Sequence, residues 1–169
     1  GKCAKPITER IKQRIRAAPF MHNDETGLSL GGKTHWLHTA STPSYAYFHI
    51  DEKRGFRALE QMGMLDGYEG FSIHDFYSSY YKIKGLSHGL CNAHHLRDLT
   101  FIHEELGQPW AKRMIELLLD AKGRKDRERD GGPAVVGRTL GRLQNRYFEI
   151  LEDGFKHNPE PRRKKRKRG

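Results

Sequence analysis

Three strand-like runs separated by two tight-turn signals occupy residues 20–50, and no other feature restricts the fold as strongly. The first run, 20–30, holds the polar stretch His22-Asn23-Asp24-Glu25-Thr26 and ends at Gly31-Gly32, a turn dipeptide. Residues 33–42 are rich in β-branched and aromatic side chains, Pro43-Ser44 turns the chain, and 45–50 is the third run. Strands joined by connections this short pair as an antiparallel meander. The spacing then changes. Residues 54–64 place Phe56, Leu59 and Met62 at helical intervals, and 68–74 contain the short apolar run Phe71-Ser72-Ile73. Residues 76–81 suit one helical turn and 87–91 a short strand. A helix over 92–106 follows, with Leu96, Leu99, Ile102 and Leu106 on one face.

The order β-β-β-α-β-α-β-α predicts an α/β protein with a ribonuclease H-like mixed sheet. A helical extension follows it. Ahead of the sheet, Ile7, Ile11 and Ile15 mark one face of a helix over 7–17, beginning near Thr8 and broken by Pro19. Beyond Gln108 the pattern is helical only: an apolar helix over 110–121, a charged and glycine-bearing loop over 122–133, then a helix carrying Leu140, Leu143, Tyr147, Ile150 and Leu151. Gly154, Pro159 and Pro161 are expected to stop it. The expected organisation is an N-terminal helix and linker (1–19), an incomplete catalytic core (20–107), a helical extension (108–158) and a disordered basic tail (159–169).

The chain of 169 residues carries a net charge of +10, and its distribution is uneven. Seven of those charges come from the unbroken run Arg162, Arg163, Lys164, Lys165, Arg166, Lys167 and Arg168. Residues 1–16 hold a net +5, whereas 17–161 hold −2. Basic ends favour a polyanionic partner, nucleic acid first, with the tail as a phosphate-contacting arm. Composition also excludes classes of function. No apolar run approaches the roughly 18 residues of a membrane span. The N-terminus lacks the apolar stretch of a signal peptide. Two cysteines, Cys3 and Cys91, do not make a disulfide scaffold. The chain reads as soluble and intracellular.

In a sheet of this topology the first strand lies beside the fourth. Asp24 on the first and Asp75 at the end of the fourth then meet on one face. Paired carboxylates suit Mg²⁺ or Mn²⁺, hard cations that keep waters and phosphates in their other positions. A pair of such ions about 3.5–4 Å apart activates and stabilises the oxygens of phosphodiester exchange. Cys91-x-x-His94, with His88, His95 and His103 nearby, is half a zinc pattern, but Cys3 is the only other thiol. Tyr77, Tyr80 and Tyr81 suit base stacking, though their spacing commits at least one of them to the core.

Four segments occur in order: Asp24-Glu25-Thr26-Gly27, Trp36-Leu37-His38, His74-Asp75-Phe76-Tyr77-Ser78-Ser79-Tyr80, and Cys91-Asn92-Ala93-His94-His95-Leu96-Arg97. Together they resemble the transposases of the insertion-sequence sixty-six group, best over residues 20–105. The resemblance implies a ribonuclease H-like Asp-Asp-Glu nuclease with Asp24 and Asp75 as catalytic, metal-holding aspartates. It further implies His94 and Arg97 near the scissile phosphate, and DNA (element ends and target) as substrate. Homo-oligomers, accessory transposition proteins and a bacterial cytoplasmic, nucleoid-associated location belong to the same expectation. His74 stands where that group has Ser, and Phe76 where it has Gly. The group's third carboxylate, a Glu in an Asn-Asn-x-Ala-Glu-Arg segment, has no counterpart here, and Glu149, Glu152 and Asp153 read as surface residues. The chain is therefore expected to be part of a longer transposase and to be inactive alone. The alternative is a nucleic-acid-binding protein with a degenerate nuclease fold.

Overall fold

Alternation of buried and exposed side chains runs through the first half of β1 (Phe20–Leu30): Met21, Asn23 and Glu25 are buried, whereas Phe20, His22 and Asp24 face outward. The computed structural model describes residues 5–159. Two units divide between Cys91 and Asn92.

In the first unit β1 turns through Gly31 and Gly32 into β2 (Lys33–Ser41), pairing Leu30 with Lys33. Both glycines have positive φ, 56° and 75°, as the favoured two-residue hairpin turn requires. β3 (Ala46–Asp51) continues the meander against β2. β4 (Phe71–His74) lies parallel to β1, and β5 (Ser87–Leu90) parallel to β4. The sheet order is β3-β2-β1-β4-β5, the arrangement of a ribonuclease H-like mixed sheet.

Helices α1 (Lys5–Arg16) and α2 (Phe56–Met62) pack over β3 and β2 respectively. Ile15, Met21, Leu59, Met62, Met64, Leu65 and Tyr80 make the core between helices and sheet. Of the three spaced isoleucines, Ile15 is fully buried, Ile11 is partly buried against the core and Ile7 is exposed, so α1 enters the core progressively toward its C-terminal end. Arg16 ties that end down by donating to the carbonyls of Met64 (2.9 Å) and Asp66 (2.8 Å). The opposite sheet face, which carries Asp24, also exposes Phe20, Phe48, Ile50 and Phe71. A 3₁₀ turn, Tyr80–Lys82, stands where one helical turn was expected over 76–81.

The second unit consists of α3 (Asn92–Glu104), α4 (Pro109–Arg129) and α5 (Gly137–His157), packed around Leu99, Ala111, Met114, Leu117 and Ile150. Two expectations fail here for identifiable reasons. The segment 122–133 is not a loop from its start, because α4 continues to Arg129. Its charges sit at helical intervals: Lys122–Asp126 (2.5 Å), Arg124–Asp120 (3.0 Å) and Lys125–Glu128 (2.7 Å). Pairs at this spacing favour helix and help it run on through Gly123. Gly154 does not stop α5, which runs three residues further. Its missing side chain instead admits the Trp110 indole; a Cβ there would lie 3.2 Å from two indole carbons. Among the described residues no helix is long and apolar enough to cross a membrane. The run Arg162–Arg168 and Cys3 lie outside the described residues.

Candidate active site

Parallel pairing of β1 and β4 matches Phe20 with Phe71, Met21 with Ser72 and His22 with Ile73. Asp24 and Asp75 each lie two residues beyond the last of these pairs. Asp24 shares the outward pleat of His22, and Asp75 follows His74, the last residue of the adjacent parallel strand β4. Asp24 is exposed, and its Oδ1 accepts from the Glu25 backbone N–H at 2.9 Å. The Asp75 side chain is 23% exposed and both of its oxygens are engaged. Oδ1 accepts from the Tyr77 backbone N–H (2.9 Å) and Oδ2 from Arg54 Nη2 (3.2 Å).

The opposite pleat of β1 supplies a support. Glu25, with only 1% of its side chain exposed, accepts from the Tyr80 hydroxyl and from Arg54 Nε (3.3 Å), and His38 Nδ1 lies 4.0 Å away. Burial pushes the Glu25 carboxyl up, opposed by the Tyr80 and Arg54 hydrogen bonds. Burial, reinforced by the Glu25 charge, drives the Tyr80 hydroxyl far above its ordinary range, so it remains a donor. One guanidinium thus bridges a buried acid and a half-buried one. Its plane is held by the rings of Tyr77 (4.1 Å to the centroid) and Trp36 (5.1 Å), in cation–π contact.

A second support lies under Asp75. His74 is fully buried, stacked on Tyr80 at 4.0 Å between centroids. Its Nδ1 donates to the Asp75 carbonyl, which can only accept. Nε2 is then the acceptor of the neutral ring, receiving the His88 Nδ1 proton at 2.9 Å. Burial, the largest influence on His74, lowers its pKa and keeps the ring neutral.

The chain matches the family model Transposase IS66 family over residues 1–168. It belongs to that family. Comparison with curated proteins and with solved structures gave no significant match.

Within this transposase chain the remaining expected residues fall in different places. His94 and Arg97 are on α3, in the second unit: Arg97 is exposed, and His94 is half-buried with its Nδ1 unpartnered. Glu149 and Glu152 are exposed on α5, and Asp153 pairs with Arg113. Cys91 continues the β5 ladder by donating its N–H to the His74 carbonyl (2.8 Å). Among the described residues no group of three or more His, Cys, Asp or Glu side chains is arranged to hold a metal. A carboxylate on β1 and one just after β4 nevertheless suit a magnesium-like ion, which is commonly held by one or two carboxylates plus substrate phosphates rather than by an all-protein cage. Glu25 and Arg54 escaped the sequence reading. The signal for Glu25 was its adjacency to Asp24, which on a strand sends it to the opposite, covered face. Arg54 gave none, because both of its acidic partners are distant in sequence.

Proposed function

We propose that Asp24 and Asp75 hold Mg²⁺ or Mn²⁺ in a DNA transposase that cleaves the 3′ ends of its element and joins them to target DNA. What supports this reading is Asp24 on β1 and Asp75 directly after β4, its parallel neighbour, with Asp75 held by Arg54. A divalent cation at this pair would neutralise phosphoryl charge and lower the pKa of the attacking hydroxyl. The chain's own residues do the positioning. Tyr77 N–H and Arg54 orient the Asp75 carboxylate, and Glu25 holds Arg54 from behind. Tyr80, kept protonated, fixes Glu25. The Arg54 charge also offsets the negative charges of Glu25 and Asp75 before a cation arrives.

DNA is the substrate in this reading, with assembly into homo-oligomers and the help of accessory transposition proteins. His94, Arg97 and the Arg162–Arg168 run would contact its phosphates. Because no third acid joins the pair among the described residues, the 169-residue chain by itself is expected to join little or no DNA. Calorimetric titration of Mn²⁺ into the full chain tests the reading. Asp24→Asn and Asp75→Asn should each weaken binding about tenfold or more, a range in which ligand-sphere substitutions commonly fall. Wild-type affinity in both variants would favour a nucleic-acid-binding protein without catalysis.

A further inference from the structure

The distal half of the α4–α5 hairpin gathers cations. Residues 122–146 contain eight basic and three acidic side chains, a net +5 in a body (17–161) whose total is −2. The rest of α5 reverses sign: 147–157 carry Glu149, Glu152 and Asp153 against Lys156. A merely solvated helix face mixes its charges, whereas this helix segregates them.

The basic side chains of α4 are mostly consumed locally. Lys122, Arg124, Lys125 and Arg129 all form ion pairs with acids of that helix or its end. On α5 the pattern differs. Arg138, Arg142 and Arg146 recur every fourth residue and are exposed. Each step advances about 6 Å along the helix with about 40° of rotation, so the three form one stripe. No acid of the described residues pairs with any of them. The stripe borders a cleft of about 160 Å³ between α4 and α5, lined by Arg124, Thr139, Arg142 and Arg146 with Asp120 and Leu143. Arg124 Nε reaches both Asp120 oxygens (3.0 and 3.1 Å), which takes up the one negative charge in the cleft. What remains is two free guanidinium groups and a hydroxyl facing a space that holds a phosphate group and its waters, at about 30 Å³ per water.

We propose that this cleft and stripe bind the phosphate backbone of nucleic acid, with Arg138, Arg142 and Arg146 as the contacting residues. The proposal rests on the DNA-substrate reading above but concerns a surface separate from the paired aspartates. Guanidinium forks match phosphate oxygens bidentately, and such contacts carry affinity and salt dependence without sequence preference.

The test is fluorescence anisotropy of a labelled DNA duplex with the full chain across a salt series. The triple variant R138Q/R142Q/R146Q should bind more weakly at every salt concentration. Its slope of log affinity against log salt should be shallower by about 2–3, close to one per lost phosphate contact. R138K/R142K/R146K should keep the slope, which separates loss of charge from loss of helix. A wild-type slope and affinity in the Gln variant would overturn the proposal and leave the DNA reading standing on the tail and α3. Wild-type chain that ignores DNA, or that binds anionic vesicles instead, would overturn both. Mn²⁺ affinity should be the same in all three proteins, since the stripe is not part of the aspartate pair.

Discussion

The two units handle charge in opposite ways. In the sheet unit, the two acids that Arg54 bonds are held from more than one side: Glu25 by Arg54 and Tyr80, Asp75 by Arg54 and the Tyr77 N–H. In the helical unit, Arg138, Arg142 and Arg146 stand exposed with no acid to meet. Buried charge survives only with a complete set of partners, so the first arrangement is tied to the fold itself. Exposed charge carries no such demand, and the second arrangement is free to meet a ligand. Removing a charge should therefore cost stability in one unit and leave it untouched in the other. Trp36 and Trp110, one in each unit, provide separate fluorescence reporters.

The largest effect is expected at Arg54. Arg54→Met should cost roughly 2–3 kcal/mol in urea unfolding, below the 3–5 typical of a fully buried pair because the arginine is 32% exposed. Arg54→Met combined with Glu25→Gln should recover most of that loss. A double variant as unstable as the single one would show that packing on Tyr77 and Trp36, not charge, is what Arg54 contributes. Tyr80→Phe comes next, at about 1–3 kcal/mol, since it leaves a buried Glu25 oxygen without its donor. A melting temperature unchanged by this substitution would remove Tyr80 from the support.

A smaller effect concerns pH. His49 lies opposite His38 across β2 and β3, and burial lowers its pKa, with Asp51 opposing and His38 and Lys12 reinforcing. The fold thus favours the neutral ring. The associated stability is complete above the unfolded value of about 6.5 and is lost as pH falls through the lower folded value. His49→Gln should flatten that part of a melting-temperature profile; an unchanged profile would assign acid sensitivity to other groups. The smallest effect is expected on α5, where Arg142→Gln should shift stability by less than about 0.5 kcal/mol. A larger loss would reveal a structural partner and weaken the contrast between the units.

Much of the fold was legible in the sequence because its signals are local. Gly31-Gly32 gave the first hairpin and the end of β1, and the isoleucine spacing gave α1. The end of α4 was misread because charge density and Gly123 suggested a loop, whereas the i,i+3 and i,i+4 spacing of those charges decided for helix. Gly154 was misread for a different reason: its role depends on Trp110, 44 residues earlier and invisible to any local pattern. The site divides likewise. Asp24 and Asp75 could be proposed from topology alone, but Arg54 joins them to Glu25 only in three dimensions, through contacts spanning 21 and 29 residues.

In the proposed site the two aspartates act on the same ion. Electron paramagnetic resonance of Mn²⁺ bound to the full chain, measured for wild type, Asp24→Asn, Asp75→Asn and the double variant, tests this directly. Each single substitution should remove the tight signal, and the double should lose little more, the non-additivity expected of ligands to one ion. Tight Mn²⁺ retained in both single variants, or losses that simply add, would contradict it.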